Sequence, residues 1–295
     1  MINRNILLFA KNGQLGWELN RTLMPLGNLT AVGASDADFE DADAVLEVIR
    51  RVQPAILINP AAYTAVDKAE VEKERAHRIN AVMPGILAGE AKRLGAVFIH
   101  YSTDYVFDGT KTSAYTEDDP TNPLNVYGQS KLKGEQAIGQ VGGAYVILRT
   151  SWVYSLRGDS FVTKALSWAR KQDTLRIVTD QIGSPTWARS LAEISAAMVA
   201  RSLADSEKYF SERSGVYHLA GSGSVSRFDF TRAILDLDPR AGEQKVKKLE
   251  AALTAEFPSA ARRPLFTALD CSRFEKVFGL RMPGWGESLK RAMEE

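Results

Sequence analysis

Two side chains in the segment NVYGQSK, Tyr127 and Lys131, have the types and the spacing needed to move a proton. They lie four residues apart, so a helix over this segment would place both on one face, with Cβ atoms about 5–6 Å apart. A free tyrosine has a pKa of about 10, and a neighbouring ammonium stabilises the phenolate and lowers that pKa. We therefore predict that Lys131 tunes Tyr127 for proton exchange near neutral pH.

A hydroxyl group suited to the same chemistry comes from the segment YSTDYVFDGT, in which Thr103 follows an apolar run. At the carboxyl end of a strand, this hydroxyl could bind a substrate carbonyl oxygen and hold it between a proton donor and a cofactor. We predict that Thr103, Tyr127 and Lys131 form a catalytic set. The usual histidine base has no support, because His77, His100 and His218 are scattered and show no ligand spacing. We predict no metal site and structural roles for His100 and His218.

The segment FAKNGQLG has the form of a phosphate-binding glycine loop, with Ala10 where the first glycine is expected. Gly13 would let the backbone approach phosphates, and Gly16 would let the following helix pack on the strand. The N–H groups and dipole of that helix would point at a pyrophosphate. Alanine is costly in such a turn only if the turn needs positive φ or its methyl group meets the ligand, so we predict a turn of negative φ at Ala10. A plain strand-to-helix turn is the alternative.

Short apolar runs alternate with helical patterns through the first half of the chain. Strands rich in Val, Ile and Leu with helices between them indicate a buried parallel sheet covered on both faces, which is a doubly wound α/β fold. After residue 150 the rhythm becomes less regular. We predict a sheet domain over residues 1–150 and a smaller α/β domain over residues 151–295, with a boundary across which segments can exchange. Ligands should bind beyond the carboxyl ends of the strands. The strand segments are NILLFA, LTAV, AILIN, AVFIHY and AYVILRT.

Composition excludes several classes of partner. The chain has 295 residues, 45% of them hydrophobic, and a net charge of +1. This balance favours neither nucleic acid nor anionic membranes. The single Cys271 cannot form an internal disulfide, and the apolar run from Ile6 to Ala10 is too short for a signal-peptide core, so a cytoplasmic protein is predicted. A monomer and a homodimer both remain open, since Glu18 and the acidic end MEE could form a metal-bridged contact or simply be solvated.

Taken together, six segments resemble the extended short-chain dehydrogenase/reductases over nearly the whole chain. The resemblance implies a Rossmann-type domain over residues 1–150, which binds the dinucleotide, and a substrate-binding domain over residues 151–295. It implies that Thr103, Tyr127 and Lys131 are catalytic. The segments are NGQLGWEL, INPAAYTAVDKAE, HYSTDYVFDGT, NPLNVYGQSKLKGE, LRTSWVY and TDQIGSPT. The implied cofactor contacts are Gly13, Gln14, Leu15, Asp38, Phe39, Ala62, Tyr63, Thr64, Tyr101, Tyr127 and Lys131, and the implied substrate contacts are Thr103, Asp104 and Trp152.

The resemblance also implies a reaction, the reduction of the C4 ketone of dTDP-4-dehydro-β-L-rhamnose to dTDP-L-rhamnose with NADPH or NADH. Tyr127 would give the proton to the oxygen, and Lys131 would hold the nicotinamide ribose and keep Tyr127 acidic. The cofactor would supply the hydride. At the end of LTAVGAS, Gly33 stands where an acidic residue often meets the adenosine ribose. We therefore predict a preference for NADPH, whose 2′-phosphate Lys11 or Ser35 could contact.

Two rival functions are weighed against this one. The same fold occurs in the non-catalytic regulatory subunit of methionine adenosyltransferase, and a loop lacking its first glycine would suit that role, although the catalytic set argues against it. Another nucleotide-sugar enzyme is the nearer rival. A 4,6-dehydratase would be expected to have an Asp-Glu pair after Thr103, whereas Asp104 is followed by Tyr105. Epimerisation at C4 is harder to exclude from the residues alone.

Overall fold

A computed structural model describes residues 4–294 of the chain. Glu295, part of the acidic end considered above as a metal-bridging group, lies outside the described residues. The strands are β1 Asn5–Leu8, β2 Asn28–Ala31, β3 Ile56–Asn59, β4 Val97–Thr103, β5 Tyr145–Thr150, β6 Val153–Tyr154, β7 Thr174–Val178, β8 Ile182–Gly183, β9 Thr186–Trp187, β10 Gly215–His218, β11 Val225–Ser226 and β12 Lys248–Ala252. The helices are α1 Gln14–Leu23, α2 Ala42–Val52, α3 Val66–Ala69, α4 Lys73–His77, α5 Met83–Leu94, α6 Val126–Val141, α7 Phe161–Ala169, α8 Ala188–Arg201, α9 Ser206–Ser211, α10 Arg227–Asp236, α11 Ser272–Phe278 and α12 Trp285–Met293.

The central sheet has six parallel strands in the order β10-β5-β4-β3-β1-β2. One face is covered by α1 and α8, through a core that includes Leu19 and Leu191. The other face is covered by α2, α5 and α6, through a core that includes Val45, Leu87 and Ile138. Because both faces are covered, the strands are almost wholly apolar, as the sequence indicated. The predicted doubly wound α/β fold is confirmed.

The second half of the chain builds a smaller layer beside the carboxyl ends of this sheet. Three short two-stranded sheets, β7 with β12, β6 with β9 and β8 with β11, pack with α7, α10 and α12 around their own apolar cores. Other parts of residues 151–295 join the central sheet layer, because β10 pairs with β5 and α8 packs on α1. The division at residue 150 stays a prediction.

The start of α6 positions two residues of the predicted catalytic set. Asn125 caps α6 with its Oδ1, which accepts from the backbone N–H of Gly128 at 2.8 Å, and so fixes where the helix carrying Tyr127 and Lys131 begins. A π-helical turn at Arg78–Val82 precedes α5, whose first turn contains Pro84. Helical backbone runs without a break from α4 through this turn into α5, and the wider π-helical turn accommodates Pro84, which has no N–H to donate. Among the described helices, none is long and apolar enough to cross a bilayer.

Candidate active site

The three residues of the predicted catalytic set meet at one cavity of about 360 Å³. Thr103 comes from the carboxyl end of β4, whose residues are all buried, and Tyr127 and Lys131 come from the first turns of α6. The glycine loop after β1 forms the opposite wall. The remaining lining residues are Ala10, Gly13, Gln14, Leu15, Gly16, Pro60, Ala61, Ala62, Thr64, Tyr101, Ser102, Asp104, Thr150, Trp152 and Val153.

The Tyr127 hydroxyl is a weaker acid than the sequence suggested. Burial raises the pKa of Tyr127 above its usual value, and a hydrogen bond with Thr103 opposes that rise only in part. The ring of Tyr105 packs edge-on against that of Tyr127, with ring centroids 5.8 Å apart, and contributes to the apolar surroundings. The charges that act on this pKa are those of Asp104 and Tyr105, which raise it further, and Lys131 is not among them, so the predicted tuning by Lys131 stays a prediction. A raised pKa favours the protonated phenol, and the role of Tyr127 as proton donor stays a prediction.

Lys131 is almost completely buried, with 1% of its surface exposed. Its Nζ donates to the backbone carbonyl of Tyr101 at 2.7 Å and lies 3.1 Å from Nε2 of His100. Burial lowers the pKa of Lys131 to about 8, and the Glu135 carboxylate opposes the shift. An amine with such a pKa changes its charge close to physiological pH.

Thr103 and Asp104 form a hydrogen-bonded corner at the end of β4. Thr103 Oγ1 donates to Asp104 Oδ1 at 3.1 Å and accepts from the backbone N–H of Tyr105 at 3.2 Å. Asp104 Oδ2 accepts from Ser151 Oγ at 2.8 Å. Burial raises the pKa of Asp104, while hydrogen bonds from Thr267, Ser151 and Thr103 act against the rise. Each hydroxyl is thus held by a fixed partner.

The turn at Ala10 corrects one prediction. Its φ is +51°, in the left-handed region, where the sequence argument expected a negative value. This conformation lets the backbone N–H of Gly13 donate to the Ala10 carbonyl at 3.0 Å and close the tight turn. Glycine adopts it without penalty, whereas an L-residue with a Cβ loses roughly 1–2 kcal/mol. The turn is therefore the one a glycine loop needs, formed with a strained alanine.

Replacing Ala10 with glycine should make the protein slightly more stable. Relief of the left-handed strain is worth roughly 1–2 kcal/mol, and the added freedom of the unfolded chain takes back about 0.4–1 kcal/mol. Thermal unfolding should therefore shift upward by about 2–4 °C for a net gain near 1 kcal/mol. Ala197→Gly, within α8, is the matched control and should lower stability by about 1 kcal/mol. A loss of stability in Ala10→Gly would show that the methyl group packs favourably.

The loop leaves the start of α1 available to an anion. Gly13 is the N-cap and no side chain caps the helix, so backbone N–H groups of its first turn face outward. Gly16 is required for close packing, because a Cβ there would lie 1.9 Å from the Ala10 carbonyl oxygen. Across the cavity, Ala61 and Ala62 present only methyl groups. Together these features form a narrow slot beside a bare helix N-terminus, the arrangement that binds pyrophosphate.

Three of the predicted cofactor contacts lie away from this cavity's lining. Asp38 is exposed and its Oδ1 accepts from the backbone N–H of Glu40 at 2.9 Å. Phe39 is 8% exposed and packs edge-on against Phe9, with ring centroids 5.1 Å apart. Tyr63 is held at its backbone, where its N–H donates to Asn80 Oδ1 at 2.9 Å. Their roles toward a cofactor stay predictions.

Gly33 stands where an acidic residue was expected, and the carboxylate of Asp36 lies beside it. The backbone N–H of Gly33 donates to Asp36 Oδ2 at 2.8 Å, and Lys11 Nζ pairs with the same oxygen at 2.7 Å. These hydrogen bonds lower the pKa of Asp36, chiefly the one from Gly33. A Cβ at Gly33 would lie 2.9 Å from Nδ2 of Asn12, so a side chain there needs Asn12 to move. A carboxylate, that of Asp36, therefore lies next to Gly33, and Lys11 forms an ion pair with it.

Arg227 is the functional candidate that sequence reasoning missed. Its guanidinium lies 3.4 Å from the ring centroid of Trp152 and 4.5 Å from that of Phe161. No ion pair holds Arg227 within residues 4–294, and burial lowers its pKa to about 10, with the like charge of Arg263 adding to the shift. Trp152 itself has a φ of +45°, an unusual value for a bulky residue. No spacing signal marks Arg227, because it reaches Trp152 from a distant helix.

Beside the first cavity lies a second of about 460 Å³. It adjoins the first at Trp152, against which Arg227 stacks, and at Tyr105, which packs on Tyr127. Three arginines and several aromatic rings line it, a composition suited to an anion attached to a flat ring. The lining residues are Tyr105, Phe161, Trp168, Gln172, Leu175, Arg176, Ile177, Val178, Gln181, Arg227, Phe257 and Arg263.

Comparison with known proteins assigns the family. The family model described as RmlD substrate binding domain matches residues 4–295. A dTDP-4-dehydrorhamnose reductase from Escherichia coli is 41% identical over 99% of this chain and 97% of its own length. The chain belongs to the dTDP-4-dehydrorhamnose reductase family. The resemblance to the extended short-chain dehydrogenase/reductases is thereby confirmed.

Solved structures of dTDP-4-dehydrorhamnose reductases share the whole fold. The Bacillus anthracis reductase, described as a complex with NADP, has a TM-score of 0.88 and 32% identity, covering 99% of each chain. A Clostridium acetobutylicum reductase has a TM-score of 0.88 and 34% identity, covering 98% of each chain. The family membership makes this chain an oxidoreductase, in agreement with the set Thr103, Tyr127 and Lys131 seen at one cavity.

Proposed function

We propose that the protein reduces the C4 ketone of dTDP-4-dehydro-β-L-rhamnose to dTDP-L-rhamnose, with NADPH or NADH as cofactor and Tyr127 as the proton donor. The observation that carries the proposal is the single cavity at which a glycine loop, Thr103, Tyr127 and Lys131 converge. Family membership supports the substrate and the reaction.

The cofactor site is supported by the fit of the loop to a dinucleotide. The bare N-terminus of α1 would hold the pyrophosphate, and the methyl groups of Ala61 and Ala62 leave room for the chain of the cofactor beside β3. Buried Oε1 of Gln14 has no hydrogen-bond partner among the described residues and faces the same region. When bound, NADPH would supply the hydride that reduces the carbonyl carbon.

The residues of the chain would then position the ketone and move one proton. Thr103 Oγ1, by turning its proton from Asp104, and the Tyr127 hydroxyl would both donate to the ketone oxygen, which holds the carbonyl in one orientation. Since its pKa is raised, Tyr127 remains protonated until negative charge develops on that oxygen, and it then gives up its proton. Lys131 would stabilise the resulting phenolate as an ammonium and bind the nicotinamide ribose. As the amine loses its proton near pH 8, this support is lost.

The second cavity would receive the nucleotide half of the substrate. Arg227 supplies positive charge for a diphosphate, while Arg263 and Arg176 are already paired with Asp67 and Glu256. Aromatic rings such as Phe257 offer a flat surface for a base. Trp152, under the guanidinium of Arg227, would form an apolar wall beside the deoxysugar. Asp104, next to Thr103, would accept from a sugar hydroxyl.

Turnover should be tested by following NADPH oxidation at 340 nm with enzymatically prepared dTDP-4-dehydro-L-rhamnose. Formation of dTDP-L-rhamnose in equal amount to the NADPH consumed is expected. NADPH binding without turnover would mean that the substrate is a different nucleotide sugar. A protein that neither binds NADPH nor turns over would favour a regulatory role and would overturn the proposal.

Asp36 should govern the preference between the two cofactors. In Asp36→Asn, Lys11 is released to meet a 2′-phosphate, so kcat/KM for NADPH relative to NADH should rise about 1.4- to 5-fold, since exposed ionic contacts contribute ~0.2–1 kcal/mol. Asp38→Asn is the matched control, because an adenine contact is common to both cofactors and its loss leaves the ratio unchanged. An unchanged ratio in Asp36→Asn, or a clear preference of the natural protein for NADH, would contradict the assignment of Lys11 to the phosphate.

The cysteine content and the net charge bear on where the protein works and what it binds. Cys271 is the single cysteine, and burial raises its pKa to about 12, so it stays an unreactive thiol. These properties suit a cytoplasmic enzyme, working as a monomer or a homodimer. No nucleic-acid or membrane partner is proposed, since the net charge of the chain is only +1.

A further inference from the structure

His100 lies directly behind Lys131 in the middle of β4, with 0% of its surface exposed. Each ring nitrogen faces one polar side-chain atom, and a hydrogen bond with the Asn59 backbone also favours the protonated ring. Nδ1 lies 3.2 Å from Nδ2 of Asn59 on β3, and Nε2 lies 3.1 Å from Nζ of Lys131 on α6. The three side chains therefore form one buried row that ends at the catalytic cavity.

The proton on the His100 ring can be located from the backbone. The N–H of Ala61 donates to Oδ1 of Asn59 at 3.0 Å, which identifies the oxygen of that amide and leaves its nitrogen facing His100. An amide nitrogen only donates, so this geometry favours Nδ1 of His100 as the acceptor, in competition with a hydrogen bond between the ring and the Asn59 backbone. Burial holds the pKa of His100 well below its usual value, so the ring is neutral and carries one proton. That proton is on Nε2.

The Nε2–H group of His100 consequently points at Lys131 Nζ. An ammonium has three N–H groups and no acceptor, so it would face this donor without a hydrogen bond. A neutral amine has a lone pair that accepts from His100, one N–H that donates to the Tyr101 carbonyl, and one N–H left for the cavity. We propose that His100, held in its Nε2-protonated tautomer by Asn59, favours the neutral amine of Lys131 over the ammonium. His100 is thus a positioning residue.

The other groups around Lys131 do not determine its protonation state by themselves. Glu135 lies one turn further along α6 and favours the ammonium. However, the Glu135 carboxylate is already bound by Arg149 of β5 at 2.7 Å and accepts from Ser102 of β4. Tyr127, on the preceding turn of α6, is a neutral phenol. Asn59 of β3 carries no charge. His100 Nε2, at 3.1 Å, therefore supplies the hydrogen-bond donor next to Lys131 Nζ.

The consequence for catalysis rests on the proposed function. A lysine that is cationic at neutral pH and neutral slightly above it can stabilise the Tyr127 phenolate and then return a proton to it. The reductase rate should accordingly fall as pH rises through about 8, the pKa of Lys131. Without the donor of His100, the fall should move to higher pH.

The tautomer is tested by NMR of the full chain labelled with ¹⁵N in its histidines. Long-range ¹H–¹⁵N correlation spectra distinguish a neutral ring protonated on Nε2 from one protonated on Nδ1. His100 is assigned by the loss of its signals in His100→Gln or, should that variant not fold, by elimination with His77→Gln and His218→Gln. A neutral Nε2-protonated ring at pH 9 is expected. An Nδ1-protonated or cationic ring would overturn the proposal.

The influence on Lys131 is tested by the pH profile of kcat for NADPH-dependent reduction. In His100→Gln the amide can rotate and present its oxygen to the ammonium, so the midpoint of the alkaline fall should move upward from about 8, and it should stay below the 10.5 of an ordinary lysine because Lys131 remains buried. His218→Gln is the matched control, since His218 is equally buried on β10 and hydrogen-bonds the carbonyl of Tyr115 at 3.0 Å instead. Its midpoint should stay near 8.

If His100 had only a structural role, both variants would change kcat but neither would change the pH midpoint of its alkaline fall. That result would refute an effect of His100 on Lys131. The two proposals fail separately. If the natural protein shows no turnover with the dTDP sugar, the proposed function is wrong, whereas the NMR result still decides the tautomer. If turnover is normal and the ring is protonated on Nδ1, only the inference about His100 falls.

Discussion

Tyr127→Phe is expected to lower kcat about 10²–10⁴-fold, the usual contribution of a positioned general acid. The phenyl ring keeps the packing against Tyr105, so the cavity should retain its shape and NADPH should still bind. The ketone would lose its proton donor and one of its two hydrogen bonds. Turnover is measured at 340 nm, and NADPH affinity by quenching of protein fluorescence.

Tyr145→Phe serves as the control for this result, because Tyr145 begins β5, at the opposite end from the cavity. Its kcat should match that of the natural protein. A Tyr127→Phe variant that retains most of its activity would mean that Thr103 or water delivers the proton. Loss of NADPH binding together with activity would instead show that the phenol holds the cofactor.

Arg227→Gln is expected to raise KM for the dTDP sugar roughly 10- to 100-fold, because a charge-assisted hydrogen bond contributes about 1.5–3 kcal/mol. The diphosphate is remote from the reacting carbon, so kcat should change much less than KM. KM for NADPH should be unaffected, since Arg227 lines the second cavity and the glycine loop lines the first. Steady-state kinetics with each substrate varied in turn would measure all three quantities.

The matched control for Arg227 lies on the same helix. Arg232 of α10 is exposed and pairs with Asp229 at 3.3 Å, so Arg232→Gln removes an arginine without touching either cavity. Its KM values should equal those of the natural protein. Equal KM values in Arg227→Gln would remove the diphosphate from the second cavity, whereas a large fall in kcat would place Arg227 closer to the reacting carbon.

Local patterns in the sequence were sufficient for the fold and for the placement of Thr103, Tyr127 and Lys131 at one cavity. Alternating apolar and helical segments predicted the doubly wound sheet, because a strand buried on both faces must be apolar along its length. The spacing of Tyr127 and Lys131 placed them on one helix face, and Thr103 followed from the end of β4. These features depend on residues close together in the chain, where the period of the element determines the geometry.

What only the tertiary structure decided concerns contacts between distant segments. Asn59 and His100 are 41 residues apart and His100 and Lys131 are 31 apart, so no local period relates them. Likewise, Arg227 reaches Trp152 from another helix, and the left-handed turn at Ala10 depends on how β1 delivers the chain to α1. The pKa values of Tyr127 and Lys131 follow the same rule, because each is shifted mainly by burial, which comes from the packing of the whole molecule.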